Sequence, residues 1–84
     1  MQRISLPSGK LYDAEYADVS LMTGNFNALV LTMDGLSLAQ EFVNAEEITV
    51  EEDTGKTYTF TGYKRLVRLV WRDTGYQITL AKEV

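Results

Sequence analysis

From Glu46 to the C-terminus apolar residues fall at every second position, two Asp-Thr-Gly triplets break that alternation, and one short stretch elsewhere has helical spacing. These observations predict a mainly β fold, with antiparallel hairpins or a meander forming a small sandwich or open barrel and one short helix at about 38–44. A length of 84 residues fits a single domain over 1–84 with one core. Its expected parts are N-terminal hairpins at 1–33, the helix at 38–44 and a C-terminal four-strand meander at 46–82.

The first strand is expected from Arg3 to Leu6, ended by the turn cluster Pro7-Ser8-Gly9. Extended chain resumes from Lys10 to about Tyr16 with Tyr12, Ala14 and Tyr16 on one side, which makes an opening hairpin. A short strand at Val19 to Met22 leads into the turn Thr23-Gly24-Asn25. Asn27 to Met33 then reads as a strand apolar on both faces at Ala28-Leu29-Val30-Leu31, a pattern that belongs in the middle of a sheet. After Asp34-Gly35 the period changes. Leu38, Phe42 and Val43 supply an apolar helical face, and Ser37 with Gln40 makes a capping box for a helix from about Leu38 to Asn44. A loop or strand is the alternative there, because an isolated two-turn helix is held only by packing.

In the C-terminal half, Ile48 and Val50 alternate with Glu47, Thr49 and Glu51 until a turn at Asp53-Thr54-Gly55-Lys56. Beyond it Tyr58 and Phe60 face one way while Thr57, Thr59 and Thr61 face the other. Gly62 interrupts, and a long strand from about Tyr63 to Arg72 places Val67, Leu69 and Trp71 on one face. Lys64, Leu66, Arg68, Val70 and Arg72 share the opposite face, with Arg65 pointing away from them. Asp73-Thr74-Gly75 turns the chain into a last strand with Tyr76, Ile78 and Leu80 inward. The repeated triplet is a common hairpin turn whose flanks do not align, so it carries little weight as a duplication.

Composition narrows the function classes. Eight Lys and Arg against 12 Asp and Glu give a formal charge of −4, the opposite sign from a general nucleic-acid binder. Without Cys or His the chain lacks disulfides and the usual zinc ligand sets, so no cofactor and no metal are expected. Met1 to Pro7 has no apolar run of signal-peptide length, and no stretch approaches the roughly 18 apolar residues of a membrane span. The product is therefore read as cytoplasmic at synthesis, with no membrane partner.

Catalysis would require a nucleophile with a base, or a perturbed carboxylate pair, since His is missing. The carboxylate clusters Asp13 with Glu15, Glu46 with Glu47, and Glu51-Glu52-Asp53 fall at strand edges and turns, where the plainer reading is a solvated surface. They also lack the oxygen-ligand spacing of a calcium loop. No catalytic residues are assigned and no enzyme is expected. The concentrated feature is basic: Lys64, Arg65, Arg68 and Arg72 are half of the eight basic residues. Phosphate contact is one reading of that stripe. Ion pairing with the acidic stretch Glu46 to Asp53, within one chain or between subunits, is the reading its mixture with Leu66 and Val70 favours. Tyr58, Phe60, Trp71 and Tyr76 are expected in the core, and Tyr63 at the surface. The candidate interaction surface is thus Tyr63, Lys64, Leu66, Arg68, Val70 and Arg72.

The segments "LPSGKLYD", "EFVNAEEITV" and "YTFTGYKRLVRLVWRDTGYQITLAKE", taken in that order, resemble in layout short reading frames found in prophages of Gram-positive bacteria. The resemblance covers about half of the chain, has no diagnostic motif and carries over no functional residue. It implies a small phage-derived protein, tail-associated or assembly-related, which can be incorporated into a phage particle. The expectation is a non-enzymatic structural or assembly protein acting through a sheet surface, as a homo-oligomer or with other phage structural proteins. The alternative is a small adaptor for peptide, glycan or nucleic acid that uses the Lys64 to Arg72 stripe, nucleic acid being disfavoured by the charge.

Overall fold

Residues 1–83 are described by a computed structural model. Along the chain they form β1 (Gln2–Ser5), β2 (Leu11–Val19), β3 (Phe26–Val30), α1 (Gly35–Asn44), β4 (Glu47–Glu51), β5 (Thr57–Thr61), β6 (Arg65–Trp71) and β7 (Tyr76–Ala81). All the strands belong to one antiparallel sheet in the spatial order β5-β4-β1-β2-β3-β7-β6. The mainly β fold with one short helix is the predicted one, and the sheet does not close into a barrel. The doubly apolar segment at Ala28 to Val30 lies in β3, between β2 and β7, as its pattern requires.

The sheet is strongly curled. β3 and β5 are four strand positions apart, which in a flat sheet is about 19 Å. Yet the ring centroids of Phe26 on β3 and Phe60 on β5 are 5.6 Å apart. Small side chains make the curl possible: Ala14, Ala17 and Ala28 line the concave face of the middle strands and are buried. The space they leave is filled by Phe26 and by Phe42 of α1, both with no exposed surface and with ring centroids 6.4 Å apart.

Strand parity fixes the rest of the topology. Six antiparallel steps separate β5 from β6, so these two edge strands run in the same sense. They are joined only by Gly62-Tyr63-Lys64, which makes β6 a continuation of β5 carried from one edge of the sheet to the other. Gly62 adopts φ 80 at this crossing, and its carbonyl accepts a hydrogen bond from the Glu83 amide, 2.8 Å. The C-terminal half is therefore two hairpins at opposite ends of the sheet, and the expected continuous four-strand meander at 46–82 is corrected. β1 takes the second side of β4, and β3 takes the second side of β7.

Turn chemistry also differs between the two Asp-Thr-Gly triplets. In the β4–β5 turn Gly55 has φ 87, with the Glu52 amide donating to the Lys56 carbonyl and the Gly55 amide to the Glu52 carbonyl. The Pro7-Ser8-Gly9 turn has the same pair of hydrogen bonds, and Gly9 has φ 94. These two are the matching turns. In the β6–β7 turn the positive φ, 61, falls on Asp73, while Gly75 is needed for space: a Cβ there would stand 2.1 Å from the Val30 carbonyl oxygen.

Two bulges reset the alternation of side chains. A register shift between Ala14 and Tyr16 turns Ala17 inward and leaves Tyr16 exposed, so Tyr16 does not share a face with Tyr12 and Ala14 as expected. A second shift between Leu66 and Arg68 pairs Leu66, Leu69 and Trp71 with the inward residues Leu80, Ile78 and Tyr76. Arg65, Arg68 and Val70 are outward, and Val67 is the extra residue.

The helix begins earlier than predicted. Asp34, not Ser37, is the N-cap, its side chain accepting from the Ser37 amide at 3.0 Å. Gly35, Leu38, Ala39 and Phe42 form the buried face, the spacing of an amphipathic helix seated on a core. β2 absorbs Val19, so no separate strand covers Val19 to Met22, and β3 ends at Val30 rather than Met33.

Candidate functional site at the sheet edges

An open curled sheet has two free edges, and here they are β5 and β6. Both strands are largely exposed along their length. Every other strand has a neighbour on each side, so main-chain groups available for pairing with another chain are concentrated on these two.

β6 carries the predicted surface, rearranged by its bulge. Arg65, Leu66, Val67, Arg68 and Trp71 are exposed, while Leu69 and Val70 are half-buried. Leu66 is 41% and Trp71 43% exposed although both are on the inward phase, because no strand lies beyond β6 to cover them. Leu66, Arg68 and Val70 thus lie on one strand, but Leu66 points to the opposite face from the other two. Arg72 lies just past the strand end, and its Nε donates to Gln77 Oε1 at 2.9 Å.

Tyr63 and Lys64 belong to the crossing rather than to the strand. Contrary to expectation Tyr63 is not a free surface ring. It is partly buried, with its centroid 6.2 Å from both Phe26 and Phe60, and Lys82 Nζ sits 5.5 Å above it. Lys64 Nζ is 2.8 Å from Glu46 Oε1. That hydrogen bond and the carboxylate charge raise the ammonium pKa above its ordinary value. The pair realises within one chain the expected contact between basic stripe and acidic stretch. Among the described residues no carboxylate lies within ion-pair distance of Arg65 or Arg68.

β5 is the edge that the sequence reading did not single out. Its residues, Thr57-Tyr58-Thr59-Phe60-Thr61, include no charge, Pro or Gly, and its pairing with β4 is regular throughout. Tyr58 was expected in the core but is 41% exposed, again because its strand ends the sheet. The outward threonines pair across with Glu47, Thr49 and Glu51 of β4, and Thr49 and Thr59 hydroxyls are 3.4 Å apart. The signal was present as an uncharged β-branched and aromatic strand beside an acidic one. What hid it was the expectation that β6 would lie next to it.

The carboxylates gather elsewhere, in an open cleft of ≈ 460 Å³ lined by Asp13, Glu51, Glu52 and Asp53 among others. Cations already occupy it. The Met1 amino group lies 2.7 and 2.8 Å from the two Asp53 carboxylate oxygens, and Arg3 is the cross-strand partner of both Asp13 and Glu51, with 3.9 Å to Asp13. Among the described residues no three acidic side chains are grouped to hold a metal ion, and no helix is long and apolar enough to cross a membrane. No protein-family model, curated protein or solved structure matches this chain, so the strongest pointer to function is the pair of edge strands, of which β6 lies against α1.

Proposed function

We propose that this chain is a non-enzymatic structural or assembly protein of phage type that acts through its sheet edges as a homo-oligomer. The observation that carries the reading is β6, a seven-residue edge strand with Leu66, Val67 and Trp71 exposed and, among the described residues, no strand paired on its outer side. Uncovered edges with exposed apolar side chains are templates for adding another strand. The phage assignment rests on the sequence's resemblance in layout to short prophage reading frames. Light scattering after size exclusion tests the proposal: a mass above that of one chain, rising with concentration, is expected, and one chain at every concentration would overturn it.

The adaptor reading has less support. Lys64 is held by Glu46 and Arg72 by Gln77, which leaves Arg65 and Arg68 as the stripe's outward cations in a chain of net charge −4. Nucleic-acid affinity that falls with salt and is lost in Arg65→Glu with Arg68→Glu would favour it instead.

A further inference from the structure

Resting on the self-assembly reading, we infer that copies associate head to tail, with the β6 edge of one adding to the β5 edge of the next. The two edges differ in charge. β6 presents Arg65 and Arg68 outward, and Lys64 and Arg72 flank it. Adding β6 to a second β6 would bring two arginine-bearing edges together, and like charges directly opposite one another destabilise a strand pair.

β5 carries no charge within the strand, Lys56 just before it places its ammonium 5.9 Å over the Tyr58 ring, and the strand stands in front of acid. Behind its outward threonines are Glu47 and Glu51 on β4, with Glu52 and Asp53 in the adjoining turn. A strand added to β5 lies two strand spacings, about 10 Å, from β4, within an arginine's reach toward those carboxylates and within about one Debye length at 0.1 M salt. The cationic β6 edge and the acid-backed β5 edge are therefore complementary, whereas two β6 edges repel and a β5–β5 pair gains no charge complementarity. Because the two edges are different surfaces on one chain, the contact is heterologous and leaves one edge of each kind open, so it propagates into a ring or a chain.

The test uses two variants of the full chain. Thr57→Lys with Thr59→Lys places cations on the β5 edge, and Arg65→Glu with Arg68→Glu places anions on the β6 edge; all four positions are exposed. Far-UV circular dichroism and thermal melts check that both fold. In sedimentation velocity each variant alone is expected at the mass of one chain. An equimolar mixture is expected to recover association, since the intact β6 of one meets the intact β5 of the other. If the β6 variant still self-associates, the contact is a symmetric β5 pair. If the β5 variant still self-associates, the contact does not use β5. Either result overturns the head-to-tail arrangement while leaving self-assembly in place. A wild-type chain that stays at one-chain mass removes both.

Discussion

The curl of the sheet can be measured as a coupling energy between Phe26 and Phe60. These residues are 34 positions apart in sequence (60 − 26) and on strands that share no hydrogen bond, but their rings meet at 5.6 Å with an interplanar angle of 53°. A tilted aromatic pair contributes about 0.5–1.5 kcal/mol beyond area burial. Truncation of the fully buried Phe26 to Ala would cost about 3–5 kcal/mol, a large part of the roughly 4–13 kcal/mol expected for a domain of this length. Leucine is therefore the better probe. Phe26→Leu, Phe60→Leu and the double variant, unfolded in urea, give a cycle whose interaction energy is expected at about 0.5–1.5 kcal/mol. Single losses that add to within about 0.3 kcal/mol are the behaviour of distant residues. Additivity would mean that the sheet is flat at this point and that the curl is wrong.

Three further perturbations probe local features. Asp34→Ala removes the N-cap acceptor of the Ser37 amide and is expected to cost about 1 kcal/mol, a melting shift of roughly 4–8 °C; an unchanged melt would move the cap elsewhere. Gly75→Ala drives a Cβ to 2.1 Å from the Val30 carbonyl oxygen, whereas Gly55→Ala meets open space and pays only the left-handed penalty of about 1–2 kcal/mol. Urea midpoints should fall further for Gly75→Ala, and the reverse order would contradict the difference between the two turns. Tyr12 packs on Phe42 at 5.6 Å; burial, then the charges of Glu41 and Asp34, raise its phenol pKa. Folding therefore favours the neutral phenol. That contribution is complete below the ordinary tyrosine value of about 10 and is lost as pH rises through the higher folded value. Tyr12→Phe should make the fall in melting temperature above about pH 10 shallower, and an unchanged slope would contradict the assignment.

Sequence pattern located the strands well where side chains alternate without interruption. Ile48, Val50, Ile78 and Leu80 face the core as their spacing requires, and Gly9 and Gly55 mark hairpin turns because both need positive φ. The side-chain facings that failed have one cause. A bulge inserts a residue and inverts the phase of everything after it, and nothing in the residues near Glu15 or Val67 announces it. Uninterrupted alternation therefore puts Tyr16, after the first bulge, and Leu66, before the second, on the wrong faces. The meander failed for a different reason: local alternation says nothing about which strands become neighbours, and β7 pairs with β3, which carries the β6–β7 hairpin to the far end of the sheet and leaves the outer side of β5 open. For the candidate site, alternation marks β6 as an exposed mixed strand, whereas the packing of Tyr63 on Phe26 and Phe60 and the edge position of β5 depend on how distant strands come together.

The claim that function resides in the two free edges is tested most directly by backbone amide shifts in a dilution series of the wild-type chain. Resonances of Thr57–Thr61 and Arg65–Trp71 should move or broaden together as concentration rises, while the amides of β1 and β2, paired on both sides in the interior of the sheet, stay fixed. Spectra that do not change with concentration, or changes confined to other strands, would contradict it.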